Sequence, residues 1–273
     1  MNQLLVIGHE LIKARLARFP GQTLLLTGPE GIGRRSLARW YAAGLNCQTG
    51  FPPCGNCPGC LGVFHGDYLE LASQDSDEIK IEPVRQAIHG FLEVRPRFKT
   101  RILVVDQAQS LNEAAANALL KVLEEPPAQA RIVLIAPARE AVFPTLASRA
   151  FEERLNPVPE SILASYCADP EVLAFAAGRP GVMFRLLASE TWGKEAEGFL
   201  AALNQGGMEL IEAALALAKA EPEPWDYLAD RLKGLPLAER ALVLKALADF
   251  RLTLASRVNL ELAATRLAWV LRV

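Results

Sequence analysis

Leu24-Leu25-Leu26-Thr27-Gly28-Pro29-Glu30-Gly31-Ile32-Gly33-Arg34-Arg35-Ser36 carries three leucines into a glycine-rich turn and on into a helix-like segment. This is the frame of a phosphate-binding loop. Its working pattern is Gly-x4-Gly-Lys-Ser/Thr, in which the lysine reaches the β- and γ-phosphates and the hydroxyl ligates Mg²⁺. Gly28, Gly31 and Gly33 are in place, but Arg34 stands where the lysine belongs and Arg35 where the hydroxyl belongs. A planar guanidinium is not equivalent to a compact ammonium, and Arg35 offers a metal ion a cation instead of an oxygen. These residues predict a nucleotide-binding frame with disabled chemistry. The competing reading is a binding-competent nucleotidase that uses Ser36, one position late, for magnesium.

A second chemical group lies just downstream. Cys47, Cys54, Cys57 and Cys60 follow a C-x6-C-x2-C-x2-C spacing, with glycines and prolines between them. Two overlapping C-x2-C turns let several thiolates converge on one tetrahedral ion, and four protein ligands leave no open position for a catalytic water. Structural zinc is the favoured reading. An iron–sulfur cluster is chemically possible but has no redox partner here, and disulfides fit poorly with a reducing compartment. The fifth cysteine, Cys167, sits among Leu163, Ala164 and Tyr166 and reads as a small buried hydrophobe.

Arg101-Ile102-Leu103-Val104-Val105-Asp106 is an apolar, β-branched run closed by a carboxylate, the pattern of a buried parallel strand. In nucleoside triphosphatases such an aspartate organises Mg²⁺; read alone it is equally a strand-end cap. A glutamate at the next position would polarise the attacking water, but Gln107 stands there, and an amide does not accept that proton.

The elements that must position these groups follow a regular order. Leu111, Ala115, Ala118, Leu119 and Val122 fall at helical spacing, and Pro126-Pro127 stops the helix. Arg131–Ala136 reads as another buried strand, and Phe151–Leu155 as a last one. Residues 1–156 therefore predict an α/β core, with the cysteine module at 47–60 inserted in it. Asn156-Pro157-Val158-Pro159 marks a boundary; residues 157–195 read as a small helical domain and 196–273 as a helical bundle. In the bundle, Ile211, Ala214, Leu215 and Ala218 repeat at helical spacing; Leu235, Leu242, Leu244, Leu247 and Phe250 do so less regularly, and Glu221–Pro224 breaks the series.

The segment Ala114–Pro127 (AAANALLKVLEEPP) and the following Ser148-Arg149 resemble the bacterial DNA polymerase III clamp loader, an AAA+ family. The likeness is strong over roughly residues 1–200 and rests on helical content alone beyond them; Ala150 stands where that family often has cysteine. The resemblance implies a P-loop-type parallel sheet with an inserted four-cysteine zinc module, a helical lid (157–195) and a collar domain (196–273) that joins subunits in a ring. The degenerate loop and Asp106-Gln107 pair point, within it, to the delta prime type and away from the gamma/tau ATPases. That type implies no ATP in its own site and no hydrolysis of its own. Arg149, with Ser148, would then be an arginine finger supplied in trans to a neighbouring gamma/tau subunit. Implied partners are gamma/tau and delta subunits and, through the complex, the sliding clamp and primer–template DNA. A lid arginine is also implied, with Arg179 and Arg185 as candidates. The alternative within the family is a nucleotide-binding or hydrolysing gamma/tau-like subunit. Without the resemblance, Arg149 would be read as pairing with a surface carboxylate such as Glu152.

Composition agrees with this reading. The formal net charge is −2, so the chain lacks the basic footprint of an autonomous nucleic-acid binder. Arg95-Pro96-Arg97-Phe98-Lys99-Thr100-Arg101 is locally basic and reads first as a solvated approach to the next strand, second as a nucleic-acid contact. Between Cys47 and Cys60 there is no lysine or arginine, which argues against the cysteine module as a nucleic-acid reader. No apolar run reaches the ~18–20 residues that span a bilayer, and the first residues lack the features of a secretory signal. Together these predict a cytoplasmic protein.

Overall fold

The three leucines ahead of the glycine turn lie in β1 (Thr23–Thr27), all five residues of which are buried, as a strand covered on both faces requires. This is seen in a computed structural model that describes residues 4–62, 66–73, 78–188, 194–205, 207–219, 243, 245–250, 263–265, 267 and 271. The chain divides into two units, residues 1–183 and 184–273.

The first unit is built on β1, β2 (Tyr68–Leu71), β3 (Arg101–Val105), β4 (Ala130–Ala136) and β5 (Phe151–Arg154). All pairings are parallel and the order is β2-β3-β4-β1-β5. Alternate residues of each strand point to opposite faces, so the core splits in two. Leu25, Leu103, Val105, Ile132 and Leu134 pack on one face with Val84 of α4 (Ile81–Ala87) and Leu119 and Leu123 of α5 (Glu113–Glu124). Leu24, Leu26, Ile102, Val104, Val133 and Ile135 pack on the other with Ile12 and Leu16 of α1 (Glu10–Leu16) and Leu37 and Tyr41 of α2 (Arg34–Asn46). Each fully buried leucine contributes ~1.5–3 kcal/mol.

The helix expected from Leu111 onward is α5. Asn112 caps it by accepting the Ala115 N–H at 2.8 Å, and it ends at Glu124, before Pro126-Pro127. A short helix, α3 (Pro58–Gly62), carries Cys60, the last of the four cysteines, and α4 continues into a π turn at Ile88–Leu92. After β4, α6 (Pro144–Ala147) leads to β5, and then come α7 (Glu160–Leu163), α8 (Pro170–Ala176) and α9 (Pro180–Ala188). Asp169 caps α8 through the Glu171 N–H at 2.9 Å. Cys167 is buried.

In the second unit, α10 (Lys194–Gln205) packs against α11 (Gly207–Lys219), burying Phe199, Leu210 and Ala214; Leu247 and Phe250 are also buried. Leu235, Leu242, Leu244 and the Glu221–Pro224 break lie outside the described residues. Among those described, no helix is long and apolar enough to cross a membrane.

Candidate functional site

The strand order sets the glycine loop, at the end of β1, and Asp106, just past β3, at the carboxyl edge of one sheet with β4 between them. Ligands of open α/β sheets bind at that edge. Two glycines are structurally required there. A Cβ at Gly28 (φ +141°) would lie 2.6 Å from the Leu155 carbonyl, and one at Gly31 (φ +77°) 2.7 Å from Val182. The loop is fastened from two sides: the Gly31 carbonyl accepts the Gly181 N–H at 2.7 Å, and the Ile32 carbonyl is 3.1 Å from His9 Nε2. Burial pushes the His9 pKa below its ordinary value.

Arg35 decides what this edge can do. Its Nε is 2.6 Å from Glu70 Oε1, and its Nη2 pairs with Asp106 Oδ2. The other Glu70 oxygen takes Arg39 Nη2 at 3.0 Å and the Tyr68 hydroxyl at 2.9 Å; burial, then the Glu70 charge, pushes the Tyr68 pKa up. Asp106 Oδ1 accepts the Gln107 N–H at 3.0 Å. Both Asp106 oxygens thus have protein partners, and a divalent cation would meet the Arg35 guanidinium already on Oδ2. Burial pushes the Arg34 pKa down, and its Nη1 has no hydrogen-bond partner. The tip of β4, between loop and aspartate, offers Ala136 and Pro137, neither with a polar side chain. Gln107 adopts a left-handed backbone (φ +57°) and its amide oxygen accepts from Ser73 Oγ at 3.3 Å.

Glu70, Arg39 and Tyr68 are absent from the sequence reading. The available signal was Arg35 and Arg39, four residues apart on one helix face, which calls for a facing carboxylate. Arg35→Ala leaves Glu70 and Asp106 close together without the shared cation, and is expected to cost about 1–3 kcal/mol, read as a lowered urea midpoint.

Arg149 lies at the opposite end of the sheet. It precedes β5, so at least a strand length, ~13 Å for four residues, separates it from the glycine loop of its own chain. Its Nη2 is 2.6 Å from Glu124 Oε1, and its Nη1 donates to the Thr145 carbonyl at 3.0 Å and to Ser148 Oγ at 3.4 Å. The carboxylate partner is Glu124 and not Glu152, which instead accepts from the Thr27 hydroxyl at 2.7 Å and faces Arg139. Arg179 turns back on its own fold, donating to the carbonyls of Ala176 and Phe175 at the end of α8 at 3.0 and 3.3 Å.

The four cysteines converge. Their sulfurs all lie within 4.8 Å of one another, with Cys54–Cys60 and Cys47–Cys57 each at 3.9 Å. A tetrahedron with ~2.3 Å metal–sulfur bonds has edges of ~3.8 Å, so this donor set fits zinc. It does not fit disulfides at ~2.05 Å. Burial opposes ionisation of Cys47, yet hydrogen bonds from the Thr49 hydroxyl and the Cys54 N–H outweigh it and bring that thiol to about 5. The N–H groups of Gln48 and Cys60 lower Cys57, while burial pushes Cys60 up to about 12. Asn46, next to Cys47, is buried and binds the approach to β3: its side chain accepts from Lys99 N (3.1 Å) and Thr100 N (2.8 Å) and donates to the Thr100 carbonyl (2.8 Å). Lys99 Nζ reaches the Cys47 carbonyl at 2.7 Å.

A five-stranded parallel sheet in this order, with a glycine loop after its first strand and an aspartate after its third, is the α/β core of an AAA+ protein. Residues 10–159 match the family described as DNA polymerase III, delta subunit, and the chain belongs to that family. It is 29% identical over 219 residues to the delta' subunit of DNA polymerase III from Pseudomonas aeruginosa, covering 74% of this chain and 65% of that one. It is 32% identical over 161 residues to the tau subunit from Salmonella typhimurium, covering 55% of this chain and 25% of that one. The chain thus spans about a quarter of the tau relative's length. Its fold is similar to that of a gamma subunit-related protein from Thermotoga maritima, with a TM-score of 0.51 at 22% identity over 99% of this chain and 98% of that one.

Proposed function

We propose that this chain is a non-catalytic clamp-loader subunit of DNA replication, a scaffold that lends Arg149 to the ATP site of a neighbouring gamma/tau-type subunit. The observation that carries this reading is the split between the two ends of the sheet. At the carboxyl edge, the Arg35 guanidinium bridges Asp106 and Glu70, where a working site presents a hydroxyl and a carboxylate to Mg²⁺. At the amino edge, Arg149 is exposed and too far along β5 to serve that loop. A guanidinium so placed is open to a phosphate brought by another chain, where it would stabilise charge developing on the γ-phosphoryl group. Ser148, which donates to the Thr145 carbonyl at 3.0 Å, shapes the turn that presents it.

In this account the chain is not itself an enzyme. Cys47, Cys54, Cys57 and Cys60 would hold a structural zinc that closes the 47–60 module on the end of α2. Residues 157–195 serve as the lid and 196–273 as a collar domain contacting delta and gamma/tau subunits in a hetero-oligomeric ring. Sliding clamp and primer–template DNA are met through the complex, in the cytoplasm. Equilibrium dialysis of the purified chain against labelled ATP tests the disabled site. The expected result is no Mg²⁺-dependent binding at micromolar nucleotide; saturable micromolar binding that requires Mg²⁺ would support the gamma/tau-like alternative instead.

A further inference from the structure

We propose that Glu124 restrains the arginine finger: it holds the Arg149 guanidinium by one edge, competes with the neighbour's phosphate for it, and is exchanged for that phosphate when the site is engaged. The inference rests on the trans-finger reading and adds a partner residue to it.

Glu124 is the last residue of α5, followed directly by Glu125. Two carboxylates at the negative end of a helix macrodipole are unfavourable without a cation nearby. Lys121 lies in the same last turn, and Arg149 brings a second cation to within 2.6 Å of Glu124. The guanidinium has two kinds of contact. Nη1 is tied to the Thr145 carbonyl and Ser148 Oγ, both on its own turn, whereas Nη2 alone reaches across to α5. Releasing Glu124 therefore leaves the group hinged on its turn, with the Nη2 edge free.

Exposure sets how easily that exchange occurs. The two side chains are 38% and 51% exposed, and ion pairs this open are weak. A phosphate oxyanion offers the guanidinium the same kind of charge-assisted contact, with bidentate geometry available. While the carboxylate is bound, part of the positive charge meant for the transition state is already neutralised. Glu124 thus parks the finger in a defined direction and competes mildly with its target.

The test uses the reconstituted clamp loader and DNA-stimulated ATP turnover at saturating ATP, comparing wild type, Glu124→Gln, Glu124→Ala, Arg149→Ala and Glu124→Gln/Arg149→Ala. Both Glu124 variants are expected to raise turnover about two- to five-fold, without a change in the thermal midpoint of the isolated chain, and the double variant is expected to match Arg149→Ala. Unchanged or lowered turnover in both Glu124 variants, with co-elution of the subunits retained, overturns the proposal. A rise that persists in the Arg149→Ala background overturns it as well, because Glu124 would then act through something else. If Arg149→Ala itself turns over normally, the finger reading fails first, which separates the two failures.

Discussion

Replacing Arg149 with alanine is expected to lower ATP turnover at the neighbouring site of the assembled loader by about 10³–10⁵. The size follows from what a finger does: it places a full positive charge beside a phosphoryl group whose negative charge is redistributing, in a site from which water is largely excluded. The loss should fall on turnover more than on nucleotide affinity, because the contact strengthens in the transition state. Arg149 is 38% exposed and its ion pair with Glu124 lies at the surface, so the variant's own stability should change by no more than about 1 kcal/mol. Single-turnover hydrolysis by the reconstituted complex, beside a thermal melt of the lone chain, separates these effects. A destabilised chain with normal turnover would assign Arg149 a structural role.

The second large effect concerns the cysteines. The purified chain is expected to carry one zinc ion per molecule by elemental analysis, and Cys57→Ser or Cys60→Ser should lose it. Zinc at a structural site contributes directly to folding, ~10–16 kcal/mol in small zinc-binding peptides. Even a third of that is a large share of a typical domain's ~5–15 kcal/mol, and corresponds to a fall of roughly 10 °C in the thermal midpoint. The disruption should spread beyond the module. Cys47 ends α2, and its neighbour Asn46 fixes Lys99 and Thr100 at the start of β3, so hydrogen exchange should rise at the β3 end as well as in 47–60. A metal-free variant with an unshifted melt would remove the zinc assignment.

The parts of this molecule legible in its sequence are those marked by apolar runs or special backbone. Three leucines before the glycines, the run ending in Asp106, and Asn112 through Pro127 each carry their own start and stop signals, and each forms the expected element. The cysteine spacing likewise foretold the convergence of four sulfurs. Tertiary pairing was not legible. β2 is four half-buried residues with a charge among them, too short and mixed for a periodic signal, so Glu70 went unseen although it anchors Arg35 and Arg39. Arg149 does pair with a surface carboxylate, as expected without the resemblance, but the partner is Glu124, which was not legible for a related reason. Glu152 is near in sequence, but strand alternation and the β1–β5 pairing give it to Thr27, while the turn before β5 brings Arg149 to the end of α5. The basic run before β3 divides in two: Lys99 serves the Cys47 carbonyl, and Arg101 lies beside the fully buried Asp67 and over the Phe91 ring, whereas Arg95 and Arg97 are exposed.

One assay bears most directly on whether the carboxyl edge of this sheet has lost its chemistry. The purified polypeptide, free of any companion subunit, is incubated with ATP and Mg²⁺, and inorganic phosphate is followed over hours. Release no faster than in buffer is the predicted outcome, since Arg35 holds Asp106, and Gln107 accepts no proton. Steady Mg²⁺-dependent release that co-purifies with the chain and is abolished by changing Asp106 would contradict the account.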